Sequence, residues 1–573
     1  MRHNTGHSQC TGENATFRWP RWGKPATCVA LLSALVIAAI PTLLYPLTRD
    51  QGAYAYIADL MMQGGMPYRD AWDLKPPAIY FVYWLAFLLF GRSEFAVRLF
   101  DVLYALLSAA SVYLLAHGVF RDRRIAVCAA WLYAFCYYLL LHFYSVANPE
   151  AFMTPFLVSS VYGIVCSARS RSSQPLLLTG VASGFVFWFK PTAGLVILAV
   201  LVWAGIEMWQ ERWSSKEVLY GLAAIILGGL LGLSPIGLYL RRHGLQELLE
   251  IWRVYGTGAY LEARGLATGD GPLAMLDVII RYLRDWQMLF WLSLTGTVGV
   301  LTWRRRNRAI GAVVVFLLSS VAATLLQGKL FEYHWIPVLA PAAILSAVSL
   351  VWLAQEIRGS AGNLLWDMRS IFAVVVIVGL LLWMGYEHLA RYRRMFAYLA
   401  GHLSAEQYYA QFDIGKDFSR MGTLRAATYL REHTEPDETV LIWGAEPLVS
   451  FLAQRRSATR YIFSYVLVGG RGSNPRLETW RQDFLDDLRQ KPPMYITLVE
   501  NDINPLAPSG SRAQLDEFPA FKTILETNYS FEVQIEDYLF YRLQRSGTHS
   551  RAGMKKVSSS ERALISHFHT TRV

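Results

Sequence analysis

Apolar residues in this sequence gather into blocks of about 20, the length an α-helix needs to cross the hydrocarbon core of a bilayer. Phe95–Phe120, Ile125–Tyr144, Val218–Leu240 and Tyr333–Leu353 are the plainest of them. A lipid core offers no partner to a free backbone N–H or C=O, so runs of this length must be helical. Charge is thin enough to agree. Only 17% of the 573 residues are charged, where a soluble domain carries roughly 25%. The expected fold class is a polytopic α-helical membrane protein.

The net charge of +11 points to nucleic acid only until its placement is considered. Arg121, Arg123 and Arg124 follow one apolar run, Arg169 and Arg171 another, and Arg304, Arg305, Arg306 and Arg308 a third. Basic clusters in alternate short loops mark the cytoplasmic side of a membrane protein. A nucleic-acid binder would carry a basic soluble face interleaved with aromatics, so no nucleic-acid partner is expected. Arg18, Arg21 and Lys24 assign residues 1–26 to a cytoplasmic tail. The five cysteines form no CxxC pair and none lies in the C-terminal segment. They read as buried thiols of membrane helices.

The placement of Pro77–Phe90 decides the topology. A run of 14 residues falls in the length range of interfacial segments rather than spans. If it crosses, Arg121–Arg124 fall outside the cell and Glu150 inside. If it lies flat on the outer surface, those arginines reach the cytoplasm and Glu150 shares a side with Asp50. The flat reading satisfies the charge rule. About 11 spans follow, in a membrane domain at 27–389 that contains an interfacial helix near 77–90. From Ala390 the composition becomes that of a soluble α/β domain, 390–543, which the count leaves extracytoplasmic. Strands are expected at Thr439–Trp443, Met494–Val499, Tyr529–Gln534 and Tyr538–Leu543, and helices at Leu424–Glu432 and Arg476–Arg489. Residues 544–573 are rich in Ser, Arg and Thr and are expected to be disordered.

On this topology Asp50, Lys75, Glu150, Lys190 and His334 all emerge at the extracytoplasmic face. Asp50, just beyond the first span, is a carboxylate close to water and able to serve as a general base. An acid also marks many helix ends at a membrane interface, and the residues leave both readings open. Lys75 precedes two prolines that stiffen a helix start, at the depth of a lipid phosphate; a lysine there also snorkels without any ligand. Glu150 opens a helix, where the dipole alone favours an acid. Lys190-Pro191 joins two short apolar runs, and a cation between half-length helices resembles a site. Tyr333 and His334 precede Pro337 in a polar loop and can hydrogen-bond a phosphate or a sugar, although a lone histidine is more often structural. No HExxH, CxxC or acidic triplet marks a metal site and no GxxxxGK[ST] loop a nucleotide site. No cofactor is expected; a loosely held divalent cation stays open.

Taken in order, Asp50, Gly65-Met66-Pro67-Tyr68, Lys75-Pro76-Pro77, Glu150, Lys190-Pro191 and Tyr333-His334 form a set that resembles the GT-C superfamily of membrane glycosyltransferases. The nearest resemblance is to the branch of protein O-mannosyltransferases and lipid A aminoarabinose transferases, over Thr27 to about Leu353. One element departs: where relatives often carry a second acid after the first aspartate, this chain has Gln51. The resemblance implies an inverting glycosyltransferase of the inner membrane that moves a sugar from a polyprenyl-phosphate donor to an extracytoplasmic lipid, glycan or protein. Asp50 and Glu150 would be catalytic, with Asp50 taking the acceptor's proton. Lys75, Lys190 and His334 would hold the donor phosphate, and Tyr54, Tyr68 and Tyr333 the substrates, with membrane lipids as the remaining partners. The alternative is a transporter or flippase of a polyprenyl-linked saccharide, which would place its ionisable groups near the midplane on broken helices or repeats.

Overall fold

The computed structural model describes residues 36–256, 272–303, 309–360, 368–414, 418–468, 474–502 and 509–544, with 29 and 33. The N-terminal tail, most of the first expected span, the arginines at 304–308 and the 545–573 end lie outside the described residues. The chain divides into two compact units.

The first unit is a bundle of helices. In chain order they are α1 (Arg49–Met62), α2 (Ala78–Phe90), α3 (Glu94–Phe120), α4 (Arg123–Leu140), α5 (Pro149–Ser170), α6 (Gln174–Phe189) and α7 (Gly194–Gln210). Then follow α8 (Ser215–His243), α9 (Pro272–Asp285), α10 (Gln287–Trp303), α11 (Ile310–Leu326), α12 (Ile336–Ser360) and α13 (Met368–Leu399). Helices over Glu94–Phe120, Pro149–Ser170, Pro191–Gln210, Ser215–Arg242 and Glu332–Ile357 are long and apolar enough to cross a membrane. Helix α2 is apolar but short. Its 13 residues extend about 20 Å at 1.5 Å per residue, against a hydrocarbon core of roughly 30 Å. Gly91 ends it at φ +81°, a backbone state that glycine adopts without strain.

Short reversals at 121–122, 171–173 and 211–214 join α3 to α4, α5 to α6 and α7 to α8, so these helices alternate in direction. The three reversals lie at one end of the bundle. At the other end the chain brings together residues 47–51, 141–150 and 190–193, tied by Leu47 N–H to Glu94, Gln51 to Val146 and Lys190 to Glu150. Helices α6 and α8 approach backbone to backbone. A Cβ on Gly180 would stand 2.2 Å from the Ile225 carbonyl oxygen, and one on Gly232 2.2 Å from that of Val181. Small residues four apart on both helices, Gly180 with Gly184 and Gly228 with Gly232, permit this contact, as they do between membrane helices generally. On the outside of α8, Leu219, Leu222, Ile226 and Leu230 recur at helical spacing and stay exposed, a surface for lipid chains.

Helix α13 runs through residue 390 to Leu399, and the first unit continues to Phe412. The expected domain boundary at 390 therefore falls inside a helix. Side chains turn polar there, but the backbone ladder of a helix is indifferent to that change.

The second unit begins at Asp413 and includes Tyr68–Asp73 and a stretch opening at Val254. Its strands are β1 (Val440–Trp443), β2 (Tyr495–Val499), β3 (Tyr529–Ile535) and β4 (Tyr538–Leu543), in the order β1-β2-β4-β3. β1 and β2 are parallel, with Val440 opposite Tyr495 and Trp443 opposite Leu498; β4 is antiparallel to both β2 and β3. β1 and β2 are buried along their whole length, as strands covered on both faces are. Helix α14 (Arg420–His433) lays Ala426, Ala427 and Leu430 into a core shared with Val440, Ile442 and Phe540. Trp72 packs edge-on against Trp480 at 5.7 Å and Tyr255 at 5.1 Å, and its backbone N–H donates to the Arg460 carbonyl at 2.7 Å. These contacts make the two inserted stretches part of this unit's core.

Candidate active site

Asp50 lies in the first turn of α1, whose start is sealed by a capping box between Thr48 and Gln51. The Thr48 N–H donates to Gln51 Oε1 at 3.2 Å. Gln51 is wholly buried, and its Nε2 donates to the Val146 carbonyl at 2.6 Å while its Oε1 accepts from Arg98 Nη2 at 2.9 Å. Arg98, also buried, donates to the carbonyls of Tyr45 at 3.2 Å and Phe143 at 3.3 Å. A carboxylate at position 51 would accept from Arg98 but could donate nothing to Val146. The amide thus rivets the Asp50 helix to the segment that leads to Glu150.

Five of the expected site residues converge with Tyr333 at this end of the bundle. Lys75 Nζ lies 3.4 Å from Asp50 Oδ2 and 5.1 Å from the centroid of the Tyr333 ring, within cation–π range. Proline excludes the helical conformation from the residue before it, and Lys190, preceding Pro191, is extended and ends α6. Its ammonium turns to Glu150 Oε1, and His334 Nε2 is 4.0 Å from the same oxygen. Two acids therefore face three basic side chains. The Asp50 side chain is 44% exposed, whereas those of Glu150 and His334 are 4% and 5% exposed. Glu150 Oε2 and His334 Nδ1 are buried without a hydrogen-bond partner among the described residues, an arrangement that costs stability. Lys190 and His334 also line a narrow cleft with Ser320, Thr324 and Gln327.

Two tyrosines expected at the substrates do not join this cluster. Tyr54, one turn beyond Asp50, is wholly buried and packs on Tyr80 and Tyr83 at 6.2 and 5.7 Å. It stiffens the seam between α1 and α2, where an aromatic stripe is core. Tyr68 is wholly buried too, at φ +70°, in the stretch that belongs to the second unit.

Other residues enter the site that sequence reasoning alone passes over. Lys329 is buried, and burial together with Lys75 and Lys190 pushes its ammonium down to about 6. An arriving anion would restore its charge. On sequence it is a loop lysine like any other. Behind Glu150, the hydroxyls of Tyr137 and Tyr138 donate to the two oxygens of buried Asp101 at 2.8 and 3.1 Å. Tyr137 also accepts the Ala147 N–H at 3.1 Å, and the Tyr83 hydroxyl donates to the Ala147 carbonyl at 3.0 Å. This net fixes the bend at Ala147, φ +57°, just before α5. Among the described residues no group of three or more His, Cys, Asp or Glu is placed to hold a metal ion.

Comparison with known proteins gives similarities of sequence and of fold. The dolichyl-phosphate-mannose-protein mannosyltransferase family matches residues 74–236, a stretch that contains Lys75, Glu150 and Lys190. The chain is 25% identical over 385 residues to undecaprenyl phosphate-alpha-4-amino-4-deoxy-L-arabinose arabinosyl transferase 2 of Proteus mirabilis, covering 62% of this chain and 65% of that one. It is 29% identical over 352 residues to the corresponding transferase of Yersinia pestis, covering 58% of this chain and 61% of that one. The matches thus span less than two thirds of these relatives' lengths. In fold the chain is similar to ArnT from Cupriavidus metallidurans solved with undecaprenyl phosphate, with a TM-score of 0.54 at 13% identity, over 91% of this chain and 99% of that one. The family match and the relatives make this chain similar in sequence to membrane glycosyltransferases that use lipid-phosphate sugars, and its fold is that of ArnT; together they support the GT-C reading of the sequence.

Proposed function

We propose that this protein transfers a sugar from a polyprenyl-phosphate donor to an acceptor outside the cytoplasm, with inversion at the anomeric carbon. The observation that carries the reading is the convergence of Asp50–Lys75 and Glu150–Lys190–His334 at one end of a lipid-facing bundle. An acceptor hydroxyl or amine attacks the anomeric carbon as the bond from that carbon to the phosphate oxygen breaks. Asp50, the more exposed carboxylate, takes the acceptor's proton. The lipid phosphate leaves as a dianion, and Lys75, Lys190, Lys329 and His334 receive it. Preset cations act most where charge develops, and at the edge of a low-dielectric phase each pair is worth several-fold more than in water. Glu150 holds Lys190 and His334 in place until the phosphate arrives. Tyr333, whose ring lies 5.1 Å from Lys75 Nζ, offers an aromatic face to the sugar. A count of about 11 spans, with the basic reversals in the cytoplasm, supports an outer position for this end of the bundle. The names of the relatives favour an undecaprenyl-phosphate pentose as donor.

The test is reconstitution of the full chain with a polyprenyl-phosphate sugar and a lipid acceptor, with transfer followed by mass spectrometry. Asp50→Asn should abolish transfer while retaining polyprenyl-phosphate binding, and Lys75→Ala should raise the donor KM. An active Asp50→Asn enzyme removes Asp50 from the reaction.

A further inference from the structure

We infer that His142 and Glu332 form a positioning clamp, fixing the Gln327–Trp335 loop against the segment that leads to Glu150 and turning the Glu332 carboxylate away from the lysines. The inference rests on reading Lys329 and His334 as donor-phosphate ligands. Glu332 stands three residues after Lys329 and two before His334, and its side chain is 6% exposed. A buried carboxylate in that position would ordinarily neutralise the nearest cation, since an uncompensated buried charge is costly. Here both oxygens go elsewhere. Oε1 lies 2.7 Å from His142 Nδ1, and Oε2 accepts the His142 backbone N–H at 3.0 Å. Lys75 and Lys190 are among the charges that act on Lys329. Both Glu332 oxygens are thus held by His142, which leaves the basic side chains of the loop to a phosphate.

The two partners differ in their access to water. The His142 side chain is 63% exposed, and its ring lies parallel to that of Tyr144 at 5.3 Å. Arg391 and Asp285 are the other charged groups facing it, while Tyr144 and Tyr282 are the titratable neighbours of Glu332. The bond to Glu332 raises the imidazole's pKa in spite of burial and Arg391. The charged imidazolium thus grips Glu332 below that raised value, and the grip slackens as pH rises through it. The backbone N–H bond does not depend on the imidazole's charge.

Three variants of the full chain test this. Glu332→Gln removes the charge, His142→Leu removes the ring, and His142→Asn keeps a donor near the place of Nδ1 without its titration. In Glu332→Gln and His142→Leu the donor KM should rise on the order of ten-fold, as expected for one charge-assisted hydrogen bond, with kcat nearly unchanged. In wild type the donor KM should climb as pH rises through the His142 titration; in His142→Asn that limb should be flat. Hydrogen exchange of the 327–335 peptide, measured without substrate, should quicken in Glu332→Gln and His142→Leu and stay near wild type in His142→Asn. This last measurement needs no sugar transfer, so a wild-type chain that transfers nothing sinks the transferase reading while leaving the clamp to stand or fall by exchange. Unchanged exchange at 327–335 in Glu332→Gln overturns the clamp. Exchange that quickens evenly across the whole membrane unit also overturns it, because a general loss of fold is no clamp.

Discussion

Replacing Lys190 by Met keeps an unbranched stem of similar length and deletes the ammonium that faces Glu150. The side chains of the pair are 14% and 4% exposed, so the stranded carboxylate has little water to turn to. Two unit charges about 4 Å apart attract by about 4 kcal/mol at an effective dielectric of about 20, and removing one partner of a buried pair commonly costs about 3–5 kcal/mol. His334, 4.0 Å from Glu150 Oε1, stays beside the stranded carboxylate as a polar neighbour and offsets part of this. The expected loss for Lys190→Met is therefore about 2–4 kcal/mol. Glu150→Gln should lose a similar amount by stranding the ammonium. The double variant, which buries no charge, should lie within about 1 kcal/mol of wild type. Unfolding of the full chain in mixed micelles, followed by tryptophan fluorescence, yields the three differences and hence the coupling of the pair. If the two single losses simply add in the double variant, or if both singles match wild type, Lys190 and Glu150 are not coupled and the charge arrangement described here is wrong.

Two further outcomes are expected. The folded state depresses the pKa of Lys329 to about 6, so the penalty of burying it is complete below that value and vanishes above the ordinary lysine pKa of about 10.4. Lys329→Met should therefore stabilise the protein at pH 6 and leave it unchanged at pH 11, while raising the donor KM; equal thermal midpoints at pH 6 would refute this. Gln51→Met strands the Thr48 N–H and the Val146 carbonyl in a wholly buried place, at a cost of about 2–4 kcal/mol. It should also lower kcat by loosening Asp50, and a stable, fully active Gln51→Met variant would show that the rivet has no role.

The candidate site was legible where chemistry and placement coincided. Asp50, Lys75, Glu150, Lys190 and His334 are ionisable residues beside long apolar runs, where charge is expensive enough to need a reason. Tyr54 and Tyr68 lie buried apart from the ionic cluster; a tyrosine in a motif looks the same whether its ring meets a ligand or a neighbouring helix. Lys329 gave no signal, since the burial that depresses its pKa comes from other parts of the chain. Gln51 appeared only as a missing acid. Its work depends on Arg98 and Val146, one helix and one loop away, and a difference in sequence cannot show what the replacement touches.

By itself, then, the amino-acid order determined the class of fold and the shortness of α2. It also set the alternating reversals that bring distant acids and lysines to one end of the bundle. These follow from local rules, because a helix in lipid must satisfy its own backbone and 13 residues extend only about 20 Å. Tertiary structure alone decided which acid meets which cation, that Glu332 turns to His142, and that α13 carries the first unit past 390. Pairings across 40 or 190 residues depend on how helices pack, and no local pattern encodes which partners packing will bring within 3 Å.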